Sequence, residues 1–378
     1  MWQPIMSPPY VTSCLAVVGA VFIAIGAVIF VASDAVDLVT IQYDQEQSCP
    51  FSERYIPSPT VHKTATSDTT QQFWACTPIT IDFQLTQTMK APINMYYQLQ
   101  SYYQNYRRYA NSFDPVQLSG QNVPASSLSA CTPLLGPGQL GTNLLGPSTV
   151  TLAGTQQSVN LLGAIYNPCG LVPWSKFNDT VEIYSLNSSG ATTLICQSGN
   201  YDAEGTSLDP TGFCQRSGIA WPTDIGVKYT APAQAEGVAL TSIGWPIDAA
   251  ELEGANYSTF PLYADRGWYL GEAGHKVPDP TDEDLMVWMR LALINNFQKL
   301  YRVITVDLPP GSYTMVIHQR YDTTAFGGSK AFVLSTQTWL GGPNLWLAGL
   351  YIGVGALCVV LAVAFFVKHL HSPTIIVW

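Results

Sequence analysis

Two apolar runs, residues 11–33 and 345–367, constrain this chain more than any other feature. Each holds about 23 residues without an Asp, Glu, Lys, Arg or His. At 1.5 Å of rise per helical residue, either is long enough to cross a hydrocarbon core ~30 Å thick. One such run fits the core helix of a soluble domain, but two that bracket everything else read as a pair of transmembrane helices. The first has no Lys or Arg before it and no small-residue cleavage site before Asp34 and Asp37. It is therefore expected to stay as an anchor and not to be removed as a signal peptide. The expected layout is a short cytosolic N-terminus over 1–10, transmembrane helices over 11–33 and 345–367, an ectodomain over 34–344, and a cytosolic tail over 368–378. Lys368 and the terminal amine both favour cytosolic ends. Ala16, Ala20 and Ala24, and Gly349 with Gly353, recur at a spacing of four, with Gly355 nearby. Such positions allow close helix approach, between the two spans or against a partner's helices. Neither span carries an Asp, Glu, Lys, Arg or His side chain, which argues against an ion or proton path through this chain.

Charge is concentrated between the spans. All 26 Asp and Glu lie there, against 15 of the 16 Lys and Arg. That acid excess argues against a nucleic-acid surface and for a well-hydrated domain. Six of the eight cysteines also lie there: Cys49, Cys76, Cys131, Cys169, Cys196 and Cys214. An even number without a CxxC pair or a histidine companion suits disulfides in a lumenal or extracellular compartment, not zinc. Six cysteines allow ~15 pairings. Neighbour pairing (Cys49 with Cys76, Cys131 with Cys169, Cys196 with Cys214) is expected because each bond closes a loop of modest length. Three sequons, at Asn178, Asn187 and Asn256, place N-linked glycans on the same side.

Within the ectodomain the pattern is mostly β. Ile81, Phe83 and Leu85 alternate with polar neighbours, and strands are expected over 80–85, 181–186, 301–308 and 313–319. One helix is expected over 281–300, capped by Thr281 with Asp284 three residues on, and carrying a Leu285, Trp288, Met289, Ala292, Leu293 stripe. The fold class this predicts is two transmembrane α-helices flanking a large β-rich ectodomain, with an antiparallel β-sandwich-like core, helical decoration and long loops. Residues 95–109 carry six tyrosines and the pair Arg107-Arg108. In an acidic ectodomain these read either as ring packing in a core or as a surface for a protein partner.

Chemistry is hard to find. There is no G-x-S-x-G, P-loop or H-E-x-x-H pattern. Gly136-Pro137-Gly138-Gln139-Leu140-Gly141 spells GxGxxG but lacks the preceding strand and following helix that a dinucleotide needs. His62, His275 and His318 are isolated in sequence. Asp282, Glu283 and Asp284 suit a first helical turn better than an acid pair. No catalytic, metal or cofactor-binding residue is expected. A glycosidase-like ectoenzyme or a stand-alone adhesion or receptor-like glycoprotein are the rival classes.

A series of blocks in this chain resembles the cell division cycle protein 50 / ligand-effect modulator 3 family, accessory beta subunits of P4-type lipid-flipping ATPases. The blocks are Trp2-Gln3-Pro4, the tyrosine-rich 95–109, Pro168-Cys169-Gly170 with Phe177-Asn178-Asp179-Thr180, and 218–224 with Val227-Lys228-Tyr229. Then come Val287-Trp288-Met289-Arg290, Lys299-Leu300-Tyr301-Arg302, 311–321, Phe326-Gly327-Gly328-Ser329-Lys330, Leu334-Ser335-Thr336 and Trp339-Leu340-Gly341-Gly342. The resemblance implies a two-span glycoprotein that pairs with a P4-type ATPase, helps it leave the endoplasmic reticulum for the Golgi, endosome or plasma membrane, and supports inward phospholipid flipping. It implies that ATP and magnesium belong to the ATPase and that this chain supplies no catalytic residue. It also implies a glycan at Asn178 and a Cys131–Cys169 bond. Tyr102, Tyr103, Arg107, Arg108, Tyr109, Phe326 and Trp339 are the residues expected to contact the ATPase or to fix the surface that does. Departures are the missing basic run before Trp2, the absence of a proline over 293–295, and an insertion that holds Cys196 and Cys214.

Overall fold

The computed structural model describes residues 8–44, 78–132, 135, 149–152, 158–160, 165–186, 191–198, 212–231, 242–244, 252–253, 280–319, 321, 323 and 326–371. In chain order the helices are α1 (Pro8–Asp34), α2 (Arg107–Ala110), α3 (Pro115–Leu118), α4 (Leu171–Trp174), α5 (Glu283–Met289) and α6 (Leu345–His371). The strands are β1 (Leu38–Gln42), β2 (Ile79–Leu85), β3 (Ile93–Gln100), β4 (Thr149–Leu152), β5 (Ser158–Asn160), β6 (Ile165–Asn167), β7 (Thr180–Leu186), β8 (Thr192–Gln197), β9 (Cys214–Gln215), β10 (Ser242–Gly244), β11 (Leu252–Glu253), β12 (Phe297–Ile304), β13 (Gly311–His318) and β14 (Ser329–Thr336). The chain divides into two compact units, Met1–Leu38 with Ser335–Trp378, and Val39–Leu334.

The first unit is built on α1 and α6, both long and apolar enough to cross a membrane. They run antiparallel, since Gly19 lies against Gly355 while Gly26, a turn or two further along α1, lies against Ala348. The seam alternates steps of three and four: Gly19, Phe22, Gly26, Ile29 and Ser33 on α1 meet Ala348, Tyr351, Gly355 and Ala362 on α6. A period of 3.5 keeps one stripe facing its partner, whereas a strict spacing of four rotates away. For this reason Ala16, Ala20 and Ala24 face outward, and a Cβ at Gly349 or Gly353 would meet open space. At Gly355 a Cβ would sit 2.8 Å from the Gly19 carbonyl oxygen, so the two backbones touch. Gly355→Leu is expected to push the helices apart and cost about 1–3 kcal/mol by overpacking. A fall in the melting temperature of the full chain in detergent checks this, with Gly353→Leu as the neutral control. Where the helices end, the Ser33 hydroxyl accepts from Asn344 N (3.1 Å) and Asp37 N donates to Thr336 Oγ1 (2.9 Å).

The second unit is the β-rich body. One sheet runs β1-β14-β3-β12-β9 and another β2-β13-β7-β8, with smaller β11-β4-β5 and β10-β6 sheets beside them. β13 pairs antiparallel with both β2 and β7, and its alternation buries Tyr313, Met315 and Ile317 on one face. A single buried cluster draws on both larger sheets, joining these residues to Met95, Leu99, Ile304, Phe332 and Leu334. This is the sandwich-like core the sequence predicts. β14, buried almost throughout, is a central strand. In β12 a bulge between Leu300 and Arg302 turns both Tyr301 and Arg302 inward. The Cys196–Cys214 bond ties β8 of one sheet to β9 of the other.

The expected helix over 281–300 is shortened to α5, with Asp282 as its N-cap in place of Thr281. Two forces end it early. β3 claims Phe297 onward as a ladder partner, and Lys299 Nζ donates to the carbonyls of Val287, Trp288 and Arg290, satisfying the helix C-terminus from outside. The strand expected over 301–308 accordingly begins four residues earlier, and Leu308 pairs with Met89 in an isolated bridge.

Candidate partner interface and the network behind it

The tyrosine-rich segment divides into an inner and an outer set. From β3, Tyr97 stacks on Phe177 at 4.1 Å between ring centroids. Beyond the strand, Ser101 takes a positive φ of 60° and the chain turns back on itself. Tyr102 packs edge-on against Phe297 and Phe326, and its hydroxyl donates to that of Tyr109 (3.3 Å), which pairs with Ser175 Oγ (2.7 Å). Burial, with Tyr102 adding, pushes the Tyr109 phenol well above its ordinary value. Tyr103, Tyr106, Arg107 and Arg108 are exposed, the last three lining a shallow groove with Asn111, Ser129, Ala130 and Thr132. Phe326 is half-buried against Tyr102, and Trp339, in the other unit, is 76% exposed.

The outer set stands on a firm base. Tyr102 N donates to Asn295 O, Ala292 N to Gln104 Oε1, and Asn105 Nδ2 to Leu293 O, stitching residues 101–105 to 291–296. On the other side, Leu171 N donates to Ser112 Oγ (2.9 Å), Val172 N to Ser112 O, and Cys169 N to Gln117 Oε1 (2.7 Å). The Cys131–Cys169 disulfide closes the same corner. Gly170 holds φ +103°, and a Cβ there would lie 2.1 Å from Ser112 O.

Two buried ionic knots lie behind this face. Asp179, wholly buried, accepts from Tyr43 OH (2.7 Å), Lys330 Nζ (2.6 Å) and Tyr321 N (2.5 Å). Burial and then Asp179 drive the Tyr43 phenol well above its ordinary value, so it stays a donor. In the second knot Asp282 takes Lys176 (2.7 Å) and Arg216 (2.5 Å), and Asp284 takes Arg302 (2.7 Å). Burial pushes the Asp282 carboxyl up, but Arg216 and Lys176 outweigh it and hold the pKa below the ordinary carboxylate value. That contribution to stability is complete above ~4 and is lost as pH falls through that value toward the lower folded one. The melting temperature should therefore be insensitive to this group from pH 7 to about 5, then fall. In Asp282→Asn, measured over the same acid range, that part of the slope should vanish.

A surface loop is tied to the same helix. Gly218 N and Ala220 N donate to the Glu283 carboxylate, and the Arg290 guanidinium lies 4.5 Å over the Trp221 ring while pairing with Asp224 (2.7 Å). Glu283 is thus a structural acid of a first helical turn. Among the described residues, no three His, Cys, Asp or Glu side chains gather as a metal site.

The model of the ligand-effect modulator 3 (LEM3) family / CDC50 family matches residues 29–375. This chain belongs to the LEM3/CDC50 family. Over 98% of its length it is 30% identical to ALA-interacting subunit 3 of Arabidopsis thaliana, covering 83% of that protein. It is 29% identical to cell cycle control protein 50A of Bos taurus (97% of this chain, 84% of that one). It is 26% identical to the phospholipid-transporting ATPase accessory subunit CDC50 of Chaetomium thermophilum (100% and 88%).

Four of the LEM3/CDC50 blocks noted in the sequence fall on the bracing. Pro168-Cys169-Gly170 anchors the corner at Ser112, Asp179 and Lys330 form one knot, and Arg302 enters the other. Asn178 is only 6% exposed beside Asp179. The Cys49–Cys76 pairing, Asn187, Asn256, the 136–141 glycine run and Trp2-Gln3-Pro4 lie outside the described residues. Sequence reasoning missed Asp179, Lys330 and Lys299 as structural centres. Its one signal was charged residues lodged in apolar or aromatic strings, as in Phe177-Asn178-Asp179 and Lys330-Ala331-Phe332-Val333.

Proposed function

We propose that this chain is the non-catalytic accessory subunit of a P4-type phospholipid-transporting ATPase. It pairs with the ATPase in the membrane, accompanies it out of the endoplasmic reticulum and supports inward movement of phospholipid. The observation that carries the reading is end-to-end similarity to proteins named as accessory and interacting subunits, one of them of a phospholipid-transporting ATPase. ATP, magnesium and phosphoryl chemistry belong to the ATPase. This chain contributes an uncharged helix pair that packs in lipid and a covalently braced body whose surface is held ready for docking.

Both termini face the cytosol in this reading, and the β-rich body lies on the lumenal or extracellular side. Disulfides across the body support that placement. N-linked glycans are proposed at Asn178, Asn187 and Asn256. The low exposure of Asn178 requires its glycan to be added before the body closes around Asp179. The outward residues Tyr103, Arg107 and Arg108 contact the ATPase, while Tyr102, Tyr109 and Phe326 hold the surface in shape. Purification of the native chain in mild detergent tests the proposal. The expected result is a co-purifying polypeptide of P-type ATPase size whose lipid translocation requires this chain. A chain that leaves the endoplasmic reticulum and works alone would overturn it.

A further inference from the structure

Residues 290–296 take a conformation at odds with their composition. Arg290-Leu291-Ala292-Leu293-Ile294-Asn295-Asn296 contains neither glycine nor proline and opens with good helix formers. Yet α5 stops at Met289, and Arg290 leaves the helix with φ −78° and ψ 93°. Leu293 is left 85% exposed and Ile294 65%. One more turn of α5 would place Leu293 in line with Leu285 and Met289, on the face those two bury.

The acceptors that such a turn needs are already taken. In a continued helix the carbonyls of Val287, Trp288 and Arg290 would accept from the amides of residues 291, 292 and 294. Here the same three carbonyls accept from Lys299 Nζ, at 3.0, 2.9 and 2.5 Å. Ala292 N donates to Gln104 Oε1 instead (2.9 Å), and the Leu293 and Asn295 carbonyls accept from the turn over 102–105. An ammonium carries three N–H donors, one for each carbonyl; a neutral amine has two and a lone pair. Lys299 is 6% exposed, and burial pushes its pKa down to about 7.

Among the described residues no carboxylate meets this amine. On α5, Asp284 is taken by Arg302 and Arg216, and next to Arg290 the Asp224 carboxylate is taken by Arg290 itself and Lys228. β3 places Tyr97 opposite Lys299 in the ladder, and burial drives that phenol well above its ordinary value, so it stays neutral. The Trp288 and Phe297 rings flank the amine at 5.4 and 5.5 Å. Carbonyl dipoles and ring faces, not an opposite charge, hold the ammonium in place.

We infer that residues 290–296 are a strap with two settings, held open by the charged Lys299 amine and closing as a further turn of α5 when that amine loses its proton. In the closed setting the amides of residues 291, 292 and 294 take back their carbonyls and Leu293 leaves water. The turn over 102–105 then gives up its bonds to Ala292 and Leu293. Only the open setting offers the proton three acceptors, so acid favours it, and the closed-to-open ratio rises with pH before levelling off above about 7. For one proton the rise is about tenfold between about pH 6 and 8.

The strap is a property of the chain by itself, so the test needs no ATPase. It uses the full chain in mild detergent, carrying Leu293→Cys, and a membrane-impermeant maleimide. The labelling rate, taken relative to the same thiol in denaturant at each pH, follows the open fraction and should fall severalfold from about pH 6 to 8. Lys299→Met leaves three carbonyls without donors unless the turn forms. Labelling should then slow by about tenfold at pH 6 and lose its pH dependence, while the amides of residues 291–294 gain protection from hydrogen exchange. A lysine that merely props the fold would give the opposite sign, faster exchange there. Leu291→Pro suits the open setting, since Arg290 is already outside the α region, and it blocks the turn. Added to Lys299→Met it should restore fast labelling, and alone it should abolish the pH dependence. Labelling that ignores pH with Lys299 in place overturns the inference. So does a protease-resistant Lys299→Met chain that labels as fast as its parent. If Lys299→Met costs protease resistance, the pH profile with and without Leu291→Pro decides.

Discussion

Asp179→Ala is expected to leave the β-rich body unfolded or nearly so. The carboxylate is wholly buried and is the ion-pair partner of Lys330, which is itself almost wholly buried. Removing one member leaves an ammonium in a low-dielectric interior, a loss of about 3–5 kcal/mol, comparable with much of a domain's stability. It also releases Tyr43 OH and the Tyr321 amide. The measurement is the denaturation midpoint of the purified full chain, or the fraction resisting protease when expression is poor. Lys330→Met on top of Asp179→Ala should recover part of the loss, because the uncompensated charge is then gone. A single Asp179→Ala chain that melts with wild type would remove this knot from the account of stability.

Gly170→Ala is expected to give the next largest effect. Its φ of +103° lies where an L residue is strained, and the added methyl would press on the Ser112 carbonyl oxygen at 2.1 Å. Strain of this kind costs about 1–3 kcal/mol before the clash is relieved, and relief has to move backbone. The backbone that moves carries α2, so Arg107 and Arg108 shift with it. The variant should lose melting temperature and ATPase recovery together, whereas Gly218→Ala, also at positive φ but with open space at its Cβ, should show the backbone strain without the clash, a smaller fall in melting temperature with ATPase recovery kept. Equal melting temperatures for Gly170→Ala and wild type would show that the corner relaxes at no cost.

The same positions show how far the sequence could be read. Strands over 80–85 and 181–186 were legible because one face is wet and alternation survives. The helix over 281–300 was misjudged because its apolar stripe is compatible with both a helix and a buried strand after residue 296. Which one forms depends on β3, some 200 residues earlier, and on a lysine reaching back over the carbonyls of α5.

The candidate surface divides along the same line. Tyrosines and arginines over 95–109 were visible as a patch, but not which of them turn inward. Ring packing on Phe177 and Phe326 takes Tyr97 and Tyr102 out of contention, and stitching to residues 291–296 ties in Leu293, which in sequence reads as one end of a helical stripe.

What the sequence determined on its own was the two spans, the acidic body between them, its cysteines and the family, all carried by composition or by order along the chain. Only the tertiary structure decided that Gly19, Gly26 and Gly355 form the helix seam, that Asp179 meets Lys330 across 151 residues, and that Arg107 and Arg108 stand exposed. The physical reason is that pairing of charges and contact of backbones depend on distance in space. A linear pattern records which groups are available, and folding decides which of them find each other.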